Sequence, residues 1–150
     1  MSHELRIERL FDAPPDKVFD AFVDPAAQEE LHGSGQPDWV IRRCETDVRV
    51  GGTSVYAMAP EGRDPDVETR VFSVVERSNR LVFRHSMQVA EWGRTFETEV
   101  TLTFEDQDGK TLLTMVQTGF DTVEDRDAFL NGWPAYLDTL MSVVGARMAR

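Results

Sequence analysis

The stretch TFETEVTLTFEDQDGKTLLTMVQTGF, residues 95–120, decides the fold of this chain. Over residues 96–104, mainly apolar and polar residues alternate, and this period of two is typical of a β-strand with one buried face. Residues 106–109 place a glycine where a hairpin loop needs a positive φ, and residues 111–120 then continue as a second strand. The stretch therefore predicts two antiparallel strands joined by a tight loop.

A long amphipathic helix is predicted directly after this hairpin. Thr122 and Asp125 have the three-residue spacing of a helix cap, and apolar residues recur every three or four positions from Phe129 to Met148. Residues 131–134 interrupt this pattern, because Pro134 lacks the amide hydrogen that a helix interior uses. We therefore expect a short helix, a kink, and a long terminal helix.

Further strands are predicted upstream of the hairpin. They cover residues 5–11, 39–45, 53–59, 67–76 and 81–88. In the strand over residues 67–76, Val67, Val71 and Val75 are expected to share one face.

Two short helices are predicted between the first two strands. Pro14 and Pro15 suit a first helical turn, and Pro25 ends the first helix. The second helix is expected over residues 26–31, ended by the glycine-rich residues 33–35.

This order of elements predicts an α+β fold in a single domain, residues 1–150. Successive strands joined by short turns form an antiparallel meander of about six or seven strands, and the long helix covers one face of it. A chain of 150 residues can bury roughly 70% of the surface that it exposes when unfolded, so a self-sufficient core is expected.

The charge of the chain excludes two classes of partner. Sixteen basic and 27 acidic residues give a net charge of −11, which phosphate backbones and anionic lipid surfaces repel. We therefore expect neither nucleic acid binding nor membrane insertion. The N-terminal residues lack the apolar core of a secretory signal, and Cys44 is the single cysteine, so a cytoplasmic location is expected.

No motif for a cofactor or a metal is present in the sequence. The three histidines, His3, His32 and His85, lack metal-ligand spacing, and the chain contains neither a nucleophile elbow nor a phosphate-binding glycine loop. We expect no cofactor, no metal and no catalytic residue that a motif would identify.

His85 is the candidate polar group of an apolar pocket. It shares the alternating face of Leu81, Phe83 and Met87, so an inward imidazole would orient a ligand or act as an acid–base group. The alternative is a core histidine that is hydrogen-bonded to a neighbouring hydroxyl or carbonyl group. His32 is interpreted either as a rim group or as a surface residue.

Four stretches carry a resemblance to a known family. They are residues 13–25, with Ala-Pro-Pro and Val-Phe-Asp-Ala-Phe; residues 45–52, Glu-Thr-Asp-Val-Arg-Val-Gly-Gly; residues 58–62, Met-Ala-Pro-Glu-Gly; and residues 118–140, with Thr-Gly-Phe and Gly-Trp. In this order they resemble the START and birch-pollen-allergen-like helix-grip superfamily (SRPBCC), in the branch of homologues of the activator of heat-shock protein 90 ATPase. The resemblance implies a curved antiparallel sheet wrapped around the C-terminal helix, often with an apolar cavity between them. Residues 29–35 lack the paired tryptophans that the family usually has there, so the cavity mouth is expected to be lined differently.

The resemblance implies a binding domain for a small apolar or amphipathic molecule, held between the sheet and the long helix. Two alternatives are a polyketide cyclase-like or hydrolase-like enzyme, and a co-chaperone that stimulates heat-shock protein 90 ATPase. The co-chaperone comes last because the extra N-terminal domain of the eukaryotic activators has no counterpart in the sequence. A homodimer is also expected, since an open meander leaves edge strands. The candidate ligand-binding residues are Tyr56, Met58, Leu81, Phe83, His85, Met87, Trp133, Tyr136, Leu137 and Leu140.

Overall fold

A computed structural model describes residues 3–35, 38–91 and 93–149, with the backbone alone at residues 33–35. The elements are β1 (His3–Phe11), α1 (Pro15–Val23), α2 (Pro25–Gly35), β2 (Trp39–Thr46), β3 (Thr53–Pro60), β4 (Asp66–Glu76), β5 (Arg80–Val89), β6 (Arg94–Gln107), β7 (Lys110–Phe120) and α3 (Val123–Met148).

In these residues, seven strands form one antiparallel sheet in the order β1-β7-β6-β5-β4-β3-β2. Strands β2 to β7 follow one another as a meander, because each is joined to the next by a short turn. Strand β1 instead pairs with one edge of β7, while the hairpin partner β6 pairs with the other edge of β7. The sheet is curved and does not close. Two short helices follow β1 and the long helix α3 follows β7, so the predicted α+β fold is confirmed.

A row of buried polar residues crosses the inner face of the sheet. Neighbouring strands pair Ser54 with Arg70, Arg70 with His85, and His85 with Thr98. The Thr98 hydroxyl then accepts a hydrogen bond of 2.8 Å from the Gln117 amide on β7. These five residues, one from each of five adjacent strands, are all buried. We call them the polar row.

The polar row divides the inner face into two regions. On one side lies the packed core, where Phe19 and Phe22 of α1 meet Phe104 edge to face, with ring centroids 5.2 and 5.8 Å apart. The C-terminal half of α3 covers this side through Leu137 and Leu140, which are fully buried. On the other side, the N-terminal half of α3 faces a cavity.

The predicted interruption of the last helix is wrong. Helix α3 is continuous over Val123–Met148 with Pro134 inside it, and the predicted cap at Thr122 accepts a hydrogen bond from the amide of Asp125. Proline removes one hydrogen bond of the helix, whereas the buried residues on both sides of it, Trp133 and Leu137, hold the segment against the sheet. Helix α2 likewise runs through residues 33–35, since a glycine costs a helix only about 1 kcal/mol.

The expected common face of Val67, Val71 and Val75 is also wrong. A register shift between Phe72 and Val74 changes the parity of β4, so that Val75 packs against the core while Val71 is 40% exposed. The inward positions before the shift are occupied by Glu68 and Arg70.

Among the described helices, none combines the length and apolar character needed to cross a bilayer.

Candidate functional site

A cavity of about 380 Å³ lies between the inner face of β3–β5 and the N-terminal half of α3. Its volume is in the range of small-molecule sites in proteins. The residues around it come from α2, the four strands β2 to β5, and one face of α3. They are His32, Trp39, Tyr56, Met58, Asp66, Glu68, His85, Met87, Val89, Ala128, Phe129, Gly132, Trp133 and Tyr136.

Aromatic rings and thioether side chains form most of the cavity wall. Phe129 and Trp133 are one helical turn apart on α3, and both rings contact the His85 ring, with centroids 5.9 and 6.1 Å away. Met58 and Met87 lie on the facing strands, where their flexible chains fit apolar surfaces of varied shape. The wall is therefore suited to a flat or irregular apolar molecule.

Glu68 forms part of the cavity floor, and it makes an ion pair with Arg70 of the polar row. The Arg70 Nε donates to Glu68 Oε2 at 2.6 Å, and the two side chains are 1% and 9% exposed for Arg70 and Glu68. Burial alone would raise the pKa of Glu68, but the charge of Arg70 and the contact with His85 outweigh it and hold that pKa well below its usual range. Burial likewise opposes the charge of Arg70, and the Glu68 carboxylate outweighs it, so the pKa of Arg70 is raised. Both groups are charged at neutral pH.

The remaining donors of Arg70 fix the position of α3 and α1. One terminal nitrogen donates to the Tyr136 hydroxyl at 3.2 Å, and the other reaches the carbonyl oxygen of Phe22 at 3.5 Å. The Tyr136 hydroxyl in turn donates to the Gln28 side chain at 3.1 Å. This chain of hydrogen bonds links the cavity floor to α1, α2 and α3.

Three polar atoms at the cavity have no hydrogen-bond partner among the described residues: His85 Nδ1, the Tyr56 hydroxyl oxygen and His32 Nε2. His85 is 2% exposed, and its Nε2 lies 3.2 Å from Glu68 Oε2, whereas its Nδ1 has no partner. The hydroxyl of Tyr56, directly opposite Glu68 in the sheet, has none either. Burial raises the pKa of Tyr56 to about 12, so this hydroxyl keeps its proton.

His32 extends from α2 to the same region. Its ring lies 5.2 Å from the Tyr56 ring and 6.4 Å from the Tyr136 ring, and its Nε2 makes no hydrogen bond within the described part of the chain. Burial lowers the pKa of His32, which favours the neutral imidazole.

The mouth of the cavity is bordered by Trp39 and Asp66. The Arg63 guanidinium stacks on the Trp39 ring at 4.6 Å and pairs with Asp66 at 3.1 Å and with Glu91 at 2.9 Å. The Asp66 carboxylate also accepts a hydrogen bond from the amide of Ala90. These contacts tie the loops after β3 and β5 to each other at the rim.

Metal ligands are not grouped in the part of the chain that the structure describes: no three His, Cys, Asp or Glu side chains converge there. Glu68 is already occupied by Arg70 and faces His85, so the polar floor has the composition of a hydrogen-bonding site.

Comparison with known proteins places this geometry in a family. Residues 12–145 match the family described as activator of Hsp90 ATPase homolog 1-like protein. The chain belongs to this family. No curated protein sequence matches it significantly.

Solved structures share the fold at low sequence identity. The Mll3558 protein from Rhizobium loti is 24% identical, with a TM-score of 0.80 over 95% of this chain and 97% of that one. The CV1439 protein from Chromobacterium violaceum is 22% identical, with a TM-score of 0.78 and coverage of 94% and 96%. CalU16 from Micromonospora echinospora is 23% identical, with a TM-score of 0.66 and coverage of 99% and 80%. At these identities the likeness concerns the fold.

The structure brings together six of the ten candidate ligand-binding residues around the cavity. These are Tyr56, Met58, His85, Met87, Trp133 and Tyr136. The other four, Leu81, Phe83, Leu137 and Leu140, are in the packed core. All ten lie on inward faces, as strand parity and helical spacing predict, but these four pack in the core and do not line the cavity. Ligand contact at any of the ten stays a prediction.

The sequence pattern of β4 does not identify Glu68 and Arg70, because Val67, Val71 and Val75 predict that the opposite face is buried. One feature of the sequence does indicate these two residues. Two charged residues of opposite sign two positions apart in a strand must share one face, and the adjacent strand carries an inward histidine. Trp39 was missed as well. It borders the cavity in this member of the family, although residues 29–35 lack the usual tryptophans.

Proposed function

We propose that this protein binds a small apolar or amphipathic molecule in the cavity between the sheet and α3. The observation that carries the proposal is a 380 Å³ space that has aromatic and thioether walls and a floor of buried polar groups. Removing apolar ligand surface from water contributes about 25 cal/mol per Å², and the few polar groups orient the ligand.

A thermal-shift screen tests this proposal. A ligand that binds only the folded protein raises the unfolding temperature with its concentration. Lipids, aromatic compounds and polyketide-like compounds form the library. We expect at least one class to give a saturable shift, and the absence of a shift across all three would contradict the proposal.

Two helical glycines supply a matched pair of variants. A Cβ atom added at Gly132 or at Gly145 meets no atom within 4 Å, yet only Gly132 lies at the cavity. Both Gly132→Leu and Gly145→Leu should stabilise α3 by a similar amount, about 1 kcal/mol or less. We expect Gly132→Leu to weaken ligand binding by occupying the cavity and Gly145→Leu to leave binding unchanged.

An acid–base enzyme, resembling polyketide cyclases or hydrolases, is the second candidate. The contact between Glu68 and His85 favours it, because a carboxylate that orients a histidine is a common arrangement for proton transfer. Incubating each screening hit with the protein and following its mass distinguishes the two candidates. A change in mass that His85→Phe abolishes would indicate an enzyme. Association with a chaperone rests on the family description alone.

A further inference from the structure

We propose that His85 accepts a hydrogen bond from the ligand at Nδ1, so that the cavity selects molecules whose buried end is an uncharged hydroxyl group and disfavours carboxylates of the same shape. This inference rests on the proposed binding function and concerns the chemistry of the bound molecule.

The first step is the tautomer of His85. The Glu68 carboxylate is held in its charged form by Arg70, and an ionised carboxylate only accepts hydrogen bonds. The nitrogen of His85 that faces it, Nε2 at 3.2 Å, must therefore carry the hydrogen. In a neutral imidazole the other nitrogen then has a free lone pair.

The second step is that no donor among the described residues forms a hydrogen bond to that lone pair. His85 Nδ1 is buried and has no hydrogen-bond partner in the described residues, while the ring itself lines the cavity. A buried acceptor without a partner is unfavourable, so among ligands that exclude water from the cavity, one with an O–H group at this point binds more tightly than one without it.

The third step is charge. An anionic ligand end at the floor would lie next to the Glu68 carboxylate and the lone pair of His85. The charge of Arg70 is already neutralised by Glu68, so it offers little compensation to an incoming carboxylate. A neutral group avoids this repulsion.

The Tyr56 hydroxyl complements His85. It is protonated and unpartnered, and it faces the same carboxylate from the neighbouring strand. A ligand hydroxyl that donates to His85 Nδ1 keeps an acceptor lone pair, which suits a donor such as the Tyr56 hydroxyl.

The tautomer is measured directly by nuclear magnetic resonance on the unmodified protein labelled with ¹⁵N-histidine. His85→Phe assigns the His85 signals among the three histidines. In the neutral ring we expect the hydrogen on Nε2 and none on Nδ1. A hydrogen on Nδ1 in the free protein would overturn the inference.

Selectivity is measured with three probes of one shape: 2-naphthol, 2-methoxynaphthalene and 2-naphthoate. We expect 2-naphthol to bind about fivefold or more tightly than the methyl ether, which cannot donate, and 2-naphthoate to bind weakest. His85→Phe should remove the preference for 2-naphthol over the ether. Thr98→Val is the matched control: it also removes a polar side chain of the polar row, but Thr98 does not line the cavity, so the preference should persist.

The outcomes separate this inference from the proposed function. Equal binding of the hydroxyl and ether probes by the unmodified protein would overturn the inference and leave the binding function in place. Failure of all three probes, and of the wider library, would overturn both. If His85→Phe does not fold, the probe ratio of the unmodified protein still decides the matter.

Discussion

Arg70 donates to the carboxylate of Glu68 at 2.6 Å inside the sheet, although the two residues are only two positions apart on one strand. Transfer of two charges from water to a protein interior costs several kcal/mol per ion, and the attraction between them repays this only when further hydrogen bonds satisfy both groups. Here Tyr136 and the Phe22 carbonyl take the remaining donors of Arg70, and His85 faces the carboxylate. The pair therefore serves to organise the cavity floor more than to stabilise the fold.

Glu68→Gln is expected to destabilise the protein by roughly 3–5 kcal/mol, because it leaves the buried charge of Arg70 without a counter-charge. Chemical denaturation measures this loss. The double variant Glu68→Gln with Arg70→Met should recover part of it, since no buried charge remains. A loss below about 1 kcal/mol in the single variant would contradict the role of the pair.

Lowering the pH should gradually remove the contribution of Glu68 to the free energy of unfolding. The pKa of Glu68 in the folded protein is held well below its ordinary value of 4.5, so the stabilisation is fully present above pH 4.5 and is lost as the pH falls towards the folded value. Denaturation midpoints of the unmodified protein and of Glu68→Gln should therefore converge as the pH is lowered from neutral to about 3. A gap that is independent of pH would contradict the shifted pKa.

The Tyr56 hydroxyl is expected to lose its proton at a higher pH than an exposed tyrosine does. Burial raises its pKa to about 12 from the ordinary value of 10.0, so the folded protein should lose stability as the pH rises between these two values. Near-ultraviolet absorbance follows tyrosinate formation, and the chain has two tyrosines. Tyr56→Phe should remove the late phase of the titration, whereas an unchanged curve would mean that the Tyr56 hydroxyl is not buried in solution.

Much of the fold could be predicted from the sequence because its signals are local. The alternation in residues 95–120 and the three- and four-residue spacing after Phe129 each identify an element and its inward face. The position of the cavity depends on which inward residues of different strands lie side by side, and this is set by register. His85 and Arg70 are paired across two strands, a relationship that no single strand's pattern contains.

Trp133 and Leu140 should respond differently to truncation, although both are buried on α3. Leu140→Ala opens a hole in the packed core and should cost about 2–5 kcal/mol, while Trp133→Ala enlarges an existing cavity and should mainly weaken ligand binding. Trp133→Phe isolates the indole nitrogen, which donates to Gln117 at 2.8 Å. Its loss leaves a buried acceptor unpaired, at about 1–3 kcal/mol. Denaturation with and without ligand separates these effects. Unchanged binding by Trp133→Ala would exclude Trp133 from the ligand site.

A homodimer remains a prediction. The described sheet ends in two edge strands, β1 and β2, and Val40 on β2 is an exposed apolar side chain there. Unpaired strand edges readily pair with a second chain. One chain has a mass of 17.0 kDa, and light scattering at micromolar concentration should give twice this mass. A monomer mass would reject the dimer.

The polar row also bears on how this protein can diversify. Apolar side chains on one side of it, such as Met58 and Met87, shape the cavity, while those on the other side, such as Leu81 and Leu137, hold the fold together. Under the proposed binding function, substitutions in the first group change ligand preference while the packing of the second group is kept. Related chains can in this way acquire new specificities on an inherited scaffold, as long as the five polar side chains that separate the two regions are retained.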